Sequence, residues 1–209
     1  MTTAIFGPGG FGRELLPLVT GEVVFISDDP EQVGSRVEDV EVISLEEFRR
    51  RGQGSSTSEP GRVAISVADA SIRRRIASRI DDLPAATLIA QSAVIGPGVT
   101  IAEGAILCAF TTITASATIG RHFHANIYSY VAHDCVVGDF VTLAPRVCIN
   151  GNTIIEDDVY IGTGAVLRQG TPDKPLRIGK GALIGMGAVV TKDVEPGAVM
   201  IGNPARPKS

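Results

Sequence analysis

The sequence has no tryptophan, three cysteines in 209 residues, and only 5% aromatic residues. An odd cysteine count argues against a disulfide framework and indicates reduced thiols at Cys108, Cys135 and Cys148. No window contains eighteen uninterrupted apolar residues, and the start, Met1 to Phe6, lacks a basic segment followed by an apolar run. These absences predict neither a membrane helix nor a secretion signal. We therefore expect a cytoplasmic protein.

The charge is nearly balanced, with a net value of −4 at pH 7. A slightly acidic chain lacks the basic surface that nucleic acids or anionic membranes require, so we expect neither as a partner. The 44% hydrophobic and 20% charged residues are ordinary for a globular protein.

From Ile89 to Leu167 an aliphatic residue recurs every sixth position, with only Ala125 breaking the run, and after a short interruption the pattern resumes from Ile178 to Val194. Four residues after each comes a small or compact residue, with Phe123 as the bulky exception. A helix would repeat near 3.6 residues and a strand at 2, so neither explains the pattern. The period predicts a β-solenoid with three short sides and about 18 residues per coil, with the aliphatic residues inside and the variable positions at the corners. The spacing does not determine the handedness of the coil, although the usual crossover rule favours a right-handed one.

The N-terminal segment reads as strand, glycine turn and helix. The apolar run Thr3 to Phe6 leads into Gly7-Pro8-Gly9-Gly10-Phe11-Gly12, followed by a helical segment from Arg13 to Val19. A second strand, Glu22 to Ser27, ends at Asp28-Asp29. Glycines allow a ligand to approach the backbone, and an acidic residue in this place contacts a ribose or base in mononucleotide folds. This pattern favours nucleotide binding over a purely structural turn.

Further strands are predicted at 40–44 and 63–67, helices at 45–51 and 71–81, and a polar loop at 52–61. The run Arg73 to Arg75 is interpreted as a solvated helix face, with a phosphate contact as the alternative. Pro84 marks the end of a first domain of residues 1–85, and residues 86–209 form the solenoid domain. About 85 residues suffice for half of a Rossmann fold, which can hold a mononucleotide but not a nicotinamide dinucleotide.

His133 is the reactive candidate on the solenoid. It occupies the second corner position of its hexad and is followed by Asp134. With 18 residues per coil, it stacks between Ala115 and Gly151, with Gln169 one coil further on. These neighbours leave room for a ligand that meets the imidazole, while the N–H of Gly151 could donate to a carbonyl oxygen. The alternative is a surface histidine without a role.

Other chemistry is less favoured by the spacing. His122, His124 and His133 would lie on different corners, which argues against a zinc site. Cys148 precedes a buried position and indicates packing rather than a nucleophile. The segment 172–176 interrupts the repeat and must form a loop. A basic group around it could attract the phosphates of a large anionic cofactor or could simply be solvated: Lys174, Arg177, Lys180 and Lys192.

The glycine turn with Asp28-Asp29, the hexad repeats, the segment Tyr130 to Asp139 and the segment Ile201 to Arg206 together resemble a known family. The chain is similar to the hexapeptide-repeat acyltransferases, and among them to bacterial sugar acetyltransferases with a small nucleotide-binding domain before a left-handed β-helix. The last motif is common to hexapeptide acyltransferases in general. The histidine-acid pair after a glycine-loop domain is the more specific feature.

The resemblance implies a homotrimer with active sites between neighbouring solenoids, acetyl-CoA bound along the coils, and a nucleotide-linked amino sugar held by the first domain. His133 would be the general base and Asp134 its supporting acid. The implied sugar-nucleotide contacts are Gly7, Gly9, Gly10, Phe11, Asp28, Asp29 and Asn126. The implied cofactor contacts are Gly151, Thr142 and Met186, and no metal is implied.

Three positions depart from the family pattern. Phe11 and Thr142 stand where many members have a histidine, and Met186 stands where a glycine often approaches CoA. They leave open the exact contacts to the sugar nucleotide. N-acetylation of a 4-amino-4,6-dideoxy sugar is favoured over O-acetylation, and a non-catalytic regulatory or scaffold protein with the same fold is the other class that the sequence leaves open.

Overall fold

The computed structural model describes residues 1–54 and 61–208. Its N-terminal part is a five-stranded sheet in the order β3-β4-β2-β1-β5, parallel except for the pair β3 and β4. The strands are β1 (Thr3–Phe6), β2 (Val23–Ile26), β3 (Arg36–Val37), β4 (Val40–Ile43) and β5 (Arg62–Ile65). The helices are α1 (Gly10–Glu14), a 3-10 turn (Leu16–Leu18), α2 (Leu45–Gly54) and α3 (Ala70–Arg79).

Most of these elements lie where the hydrophobic pattern predicts them. Strand β3 is not predicted, and the helix expected over 13–19 is instead the short α1 followed by a 3-10 turn in which Pro17 lies near the start. Helix α3 begins where Asp69 accepts a hydrogen bond from the N–H of Ile72, a standard N-cap. Of the loop predicted over 52–61, residues 55–60 lie outside the described residues, and 52–54 continue α2.

The rest of the chain coils into a solenoid of short strands. They are β6 (Leu88–Ile89), β7 (Val94–Ile95), β8 (Thr100–Ile101), β9 (Ile106–Leu107), β10 (Thr112–Ile113), β11 (Thr118–Ile119), β12 (His124–Ala125), β13 (Tyr130–Val131), β14 (Val136–Val137), β15 (Thr142–Leu143), β16 (Cys148–Ile149), β17 (Thr153–Ile155), β18 (Tyr160–Ile161), β19 (Val166–Leu167), β20 (Leu176–Ile178), β21 (Leu183–Ile184), β22 (Val189–Val190), β23 (Val199–Ile201) and β24 (Arg206–Pro207).

These strands make three flat faces. Face A contains β6, β9, β12, β15, β18, β21, β23 and β24; face B contains β7, β10, β13, β16, β19 and β22; face C contains β8, β11, β14, β17 and β20. The pairing is parallel apart from the final pair, and Thr112 pairs with Tyr130, which gives the predicted 18-residue coil. For strand pairs that span the loop at 172–176 the offset becomes 23, as in the pair Tyr160 and Leu183. The loop therefore adds five residues to one coil without shifting the register.

The solenoid core is the aliphatic ladder. Leu107, Ile113 and Leu143 are fully buried, and burial of each such side chain is worth about 1.5–3 kcal/mol. Ala125 and Phe123 are both fully buried, so the bulk missing from one inward position is supplied at the other. The prediction that every repeat position is buried is wrong for the first coil: Ile89 and Ile95 are about 40% exposed, because a terminal coil has only one neighbour.

At most corners the third position has positive φ. Nine of these residues are not glycine, with φ between 49° and 62°: Phe110, Ser116, His122, Tyr128, Asp134, Phe140, Arg146, Asn152 and Asp158. This conformation is unfavourable for a residue with a Cβ. In each coil, however, the N–H at this position donates to the preceding coil, as from Asp134 to the carbonyl of Ala115. The hydrogen bonds along the corner offset the strain.

The N-terminal sheet packs against one end of face A. Its core side chains Ile5 and Phe25 join Leu88 and Ile106 of the solenoid in one buried cluster. Two further outward residues of face A, His124 and Thr142, are buried there as well. The corners next to this contact are therefore covered, and the prediction that corner positions face solvent is wrong for His122, which is 7% exposed.

Helix α3 is attached to the solenoid by arginines, so the solvated face predicted for residues 73–75 is wrong in two of three positions. Arg73 is fully buried. Arg74 donates to Asp158 and lies 4.1 Å above the ring of Phe140. Only Arg75 is exposed.

Among the described residues no helix is long and apolar enough to cross a membrane.

Because two histidines are buried, we expect the folded protein to lose stability in mild acid. Burial lowers the pKa of His122 to about 4, with Arg73 adding to the shift, and burial also holds the pKa of His124 well below its usual value. The unfolded chain therefore binds more protons below pH 6.5, and the stability contribution is lost as pH falls from about 6.5 toward 4. At about 1.4 kcal/mol per pKa unit, His122 alone accounts for roughly 3 kcal/mol.

Denaturant unfolding at pH 7.5 and 4.5 measures this loss. His124→Leu should reduce it, because neither ring nitrogen has a hydrogen-bond partner within the described residues and an apolar side chain cannot become charged. His133→Ala, at an exposed corner, should leave it unchanged. Equal stability of the parent protein at both pH values would contradict the assignment.

Candidate active site

His133 lies at the corner between faces B and C, after β13 and before β14. Its side chain is 47% exposed, and its Nδ1 lies 2.7 Å from Oδ2 of Asp134. A carboxylate only accepts hydrogen bonds, so Nδ1 carries the proton in the neutral ring. That tautomer leaves Nε2 unprotonated, as an acceptor for a proton.

Gly151 lies directly beside this ring, as the 18-residue arithmetic predicts. A Cβ built on Gly151 would lie 2.6 Å from Cε1 and 2.7 Å from Nε2 of His133, so any side chain there would displace the imidazole. Hydrogen bonds between the corner backbones link the stack, from Asn152 N to His133 O and from Gly170 N to Gly151 O. No acceptor contacts the N–H of Gly151 in the described part of the chain.

A tyrosine and an asparagine support the same corner, and the repeat pattern assigns no role to either. The hydroxyl of Tyr130 donates to Oδ1 of Asn150 over 2.7 Å, and Nδ2 of Asn150 donates to the carbonyl of Leu167 over 2.8 Å. These bonds link three successive coils next to His133 and Gly151. The sequence did contain one indication of this support. Tyr130 occupies an outward strand position close to His133, and it pairs with Cys148 of the next coil.

The glycine turn follows β1 at the carboxyl edge of the sheet. Gly7 has φ +107°, and a Cβ on Gly12 would lie 2.0 Å from the carbonyl oxygen of Gly7, so both positions require glycine. Gly9 and Gly10 are exposed, and a Cβ on Gly9 would meet nothing within 4 Å. The turn is thus closed on one side and open on the other. Phe11 turns toward the solenoid, with its ring centroid 5.5 Å from that of His124.

Asp28 and Asp29 follow β2 at the same edge. Both carboxylate oxygens of Asp28 accept hydrogen bonds from Arg79, at 2.6 and 2.9 Å, and these bonds lower the pKa of Asp28. Asp29 shapes the turn by accepting a bond from the N–H of Glu31. Asp28 and Arg79 line an open cleft of about 580 Å³, together with Ser27, Pro30, Val33, Ser44, Leu45, Glu46 and Arg49.

The remaining predicted contacts are dispersed. Asn126 and Met186 lie at the corner between faces A and B, where Met186 is 82% exposed and Asn126 accepts a bond from the N–H of Ile127. Thr142 lies on face A, buried, where its hydroxyl donates to Ala68 O and accepts from Arg73. Within one chain, neither Thr142 nor Phe11 is brought to the corner that carries His133.

The basic group around the inserted loop is divided between two corners. Lys180 lies between faces C and A, where its Nζ is 3.6 Å from Asp157 and 3.9 Å from Asp158. Lys174, Arg177 and Lys192 are exposed on the side of the inserted loop. An anion at that end of the solenoid would therefore meet these three residues and not Lys180.

The histidine, cysteine and acidic side chains bear on two other kinds of chemistry, a metal site and a reactive thiol. Among residues 1–54 and 61–208, no three His, Cys, Asp or Glu side chains lie together in a way that could hold a metal ion. Burial raises the pKa of Cys108 to about 12 and also raises the pKa of Cys135, which keeps both as thiols.

Comparison with known proteins places this geometry in a family. Residues 134–169 match the model described as bacterial transferase hexapeptide (six repeats). The chain is 42% identical to GDP-perosamine N-acetyltransferase of Escherichia coli O157:H7 over 97% of this chain and 94% of that protein.

Two solved structures extend the likeness. The structure of WeeI from Acinetobacter baumannii AYE is 43% identical over 100% of both chains, with a TM-score of 0.91. A histidine-to-alanine variant of GDP-perosamine N-acetyltransferase from Caulobacter crescentus, in complex with CoA and GDP-perosamine, is 25% identical over 100% of this chain and 97% of that chain, with a TM-score of 0.85. The chain therefore belongs to the hexapeptide-repeat acyltransferases, within the bacterial nucleotide-sugar acetyltransferases, and is an acetyl-CoA-dependent enzyme.

Proposed function

We propose that this enzyme transfers the acetyl group of acetyl-CoA to the 4-amino group of a GDP-linked 4-amino-4,6-dideoxy sugar of the perosamine type. The observation that carries the proposal is the corner at His133, where the bond from Nδ1 to Asp134 leaves Nε2 free to accept a proton beside the backbone of Gly151. The full-length likeness to GDP-perosamine N-acetyltransferase supports the choice of sugar and nucleotide.

His133 acts as the general base in this proposal. The sugar amine attacks the carbonyl carbon of the thioester, the C–N bond forms, and Nε2 takes the proton that the nitrogen loses. The C–S bond then breaks, and the CoA sulfur leaves as the thiol with the proton returned by the imidazole. Asp134 holds the ring in the required tautomer and stabilises its protonated form.

Gly151 stabilises the charge that develops on the carbonyl oxygen. Attack on the thioester places negative charge on this oxygen, and an uncommitted backbone N–H next to the base can donate to it. Glycine is also needed at this position because the imidazole occupies the space that a Cβ would need. Acetyl-CoA would lie along the column from His133 past Gly151 toward Gln169 and the basic residues near the inserted loop.

We assign the sugar nucleotide to residues 1–85 and acetyl transfer to residues 86–209. The sheet order supports this division, because the chain crosses from one side of β1 to the other between β4 and β5, and nucleotides bind at the carboxyl edge of such sheets. In this assignment the first part is a half-Rossmann domain and the solenoid is a left-handed β-helix. We place the enzyme in the cytoplasm, where acetyl-CoA and nucleotide sugars are available.

Removal of the acidic pair should weaken sugar-nucleotide binding selectively. Asp28→Ala or Asp29→Ala should raise KM for the sugar nucleotide by about tenfold while KM for acetyl-CoA stays within about twofold, since the lost contact is remote from the reacting atoms. Initial rates with each substrate varied in turn measure this. An equal effect on both substrates would show that the cleft at Asp28 is not the nucleotide site.

We also propose a homotrimer. The side of the solenoid that carries His133 is open, with the ring 47% exposed, and a neighbouring copy would supply the second wall of the site. Light scattering at micromolar concentration should give three times the mass of the chain. A monomer at that concentration would contradict the proposal.

The substrate is tested by release of CoA thiol with a panel of GDP-, UDP- and dTDP-linked amino sugars. The proposal predicts the highest kcat/KM with a GDP-linked 4-amino sugar. Turnover of hydroxy sugars alone would favour O-acetylation. No turnover of any member, from a folded protein that binds CoA, would favour the scaffold alternative.

A further inference from the structure

Arg73 is a fully buried cation. The sequence pattern does not predict its burial, and the proposed reaction gives it no role. No carboxylate oxygen lies within 4 Å of it in the part of the chain that the structure describes. Its two terminal nitrogens donate only to neutral acceptors, Nε has no hydrogen-bond partner among the described residues, and burial lowers the pKa of Arg73 to about 10. Burial of a charge without a counterion is costly, so packing alone does not explain an arginine at this position.

The acceptors of Arg73 belong to two different parts of the molecule. Nη1 donates to the carbonyls of Val67 and Ala68, at 2.6 and 3.0 Å. Nη2 donates to the carbonyl of Phe140 at 2.6 Å and to the hydroxyl of Thr142 at 3.0 Å. Val67 and Ala68 follow β5 at the carboxyl edge of the sheet, whereas Phe140 lies in the turn before β15 of the solenoid and Thr142 is the first residue of that strand. One side chain therefore fastens the sheet edge to the solenoid.

Thr142 closes the same connection from the other side. Its hydroxyl accepts from Arg73 and donates to the carbonyl of Ala68 over 2.9 Å. The three groups form a closed set of hydrogen bonds in a buried space. A planar guanidinium with five N–H donors suits this arrangement, whereas the single ammonium of lysine cannot reach both sides at once.

The connection continues to the glycine turn. Ser66 precedes Val67, and its hydroxyl lies 2.9 Å from the carbonyl of Phe6 and 2.8 Å from that of Gly7. The same Oγ would lie 3.1 Å from a Cβ on Gly12, so it packs against the beginning of α1. The position of the glycine turn relative to the solenoid thus depends on the loop that Arg73 holds.

We propose that Arg73 is a positioning residue that sets the glycine turn against the solenoid, so that the amine of the bound sugar nucleotide is held at His133. The inference rests on the proposed function, in which the nucleotide is bound by the sheet edge and the acetyl group by the solenoid. The reacting atoms must come within about 3–3.5 Å, and an error of 1 Å can cost about 10²-fold in rate. A joint between the two sites must therefore be rigid.

Three variants test this role: Arg73→Met, Arg73→Lys and Thr142→Val. Each should lower kcat by about 10- to 100-fold and raise KM for the GDP-linked amino sugar by about tenfold, while the Kd for CoA measured by calorimetry stays within about twofold. Arg73→Met should be the most affected. If Arg73→Met fails to fold, the isosteric Thr142→Val, which removes one hydroxyl, decides the question.

Two neighbours on α3 are the matched controls. Arg75→Met changes an exposed arginine and should leave all parameters unchanged. Arg74→Met removes a bond from α3 to Asp158 without touching the loop after β5, so it should lower the melting temperature and leave kcat within about threefold. A melting curve for every variant separates loss of stability from loss of positioning.

The outcomes distinguish the inference from the function on which it rests. If the parent acetylates GDP-linked amines and the Arg73 and Thr142 variants show the split between sugar and CoA, the inference holds. The inference is overturned and the function stands if the parent is active but these variants change only the melting temperature. The same holds if they weaken the binding of CoA as much as that of the sugar nucleotide. If the parent acetylates no nucleotide-linked amine, the proposed function fails and the inference fails with it.

Discussion

Replacement of His133 by alanine is expected to lower kcat by about 10²- to 10⁴-fold, equivalent to roughly 3 to 5 kcal/mol of activation barrier. The variant removes the group that we propose takes the proton from the attacking amine. Because the side chain lies at an exposed corner, the free energy of unfolding and the affinity for CoA should change little. Steady-state kinetics with one accepted sugar nucleotide, together with calorimetric titration of CoA, measure both effects.

Matched variants separate the base from its surroundings. Asp134→Asn keeps the shape of the side chain but removes the carboxylate that fixes the tautomer, so kcat should fall with KM for CoA unchanged. His124→Leu is the histidine control, because its ring is buried under the N-terminal sheet. A kcat of His133→Ala within about threefold of the parent value would contradict the general-base assignment.

Gly151→Ala should lower kcat by about 10²-fold even though it adds a single methyl group. The new Cβ would lie 2.6 Å from the ring of His133, so the imidazole must move by the order of an ångström to relieve the clash. The change also crowds the backbone N–H proposed to bind the carbonyl oxygen. Kinetics of Gly151→Ala beside Gly52→Ala, where a Cβ would meet nothing within 4 Å, provide the measurement and its control.

Full activity of Gly151→Ala would show that the ring position in the free enzyme is not the reactive one. If both glycine variants lost activity alike, the effect would arise from folding rather than from the site. A crystal structure of Gly151→Ala would locate the displaced imidazole directly.

The solenoid could be predicted from the sequence because its contacts are periodic. A residue and its neighbour in the next coil are 18 positions apart, so the arithmetic that places Ile113 beside Val131 also places His133 beside Gly151. The five-residue insertion is visible for the same reason, since the hexad resumes in register after it. The partial exposure of Ile89 and Ile95 in the first coil could not be predicted, because the repeat is the same at the end of the solenoid as in its middle.

Contacts between the N-terminal sheet and the solenoid have no such period. Arg73 reaches Phe140 across 67 positions, and no spacing rule relates the two. Three consecutive arginines on a helix ordinarily face solvent, and a buried, unpaired one has no signal in composition. The same contact buries His124 and commits the hydroxyl of Thr142, two residues whose surroundings the repeat pattern does not reveal.

The contact between His133 and Asp134 could be predicted from the sequence, but the side chains that support this corner could not. The pair His133 and Asp134 is adjacent in sequence, and the 2.7 Å bond follows from the tight corner that holds Asp134 at φ +56°. The support from Tyr130 and Asn150 depends on which strand residue points toward the corner of the next coil. Asp28 could be expected at the edge of the sheet, whereas its pairing with Arg79 joins two segments 51 residues apart.

The most direct test is to identify the product. The purified enzyme is incubated with acetyl-CoA and GDP-perosamine, and the nucleotide sugar is analysed by mass spectrometry and NMR. We expect the sugar to gain one acetyl group as an amide at the 4-amino nitrogen, and His133→Ala to form this product at least about 10²-fold more slowly. Acetylation of a hydroxyl, or an unchanged sugar nucleotide in the presence of folded enzyme and acetyl-CoA, would contradict it.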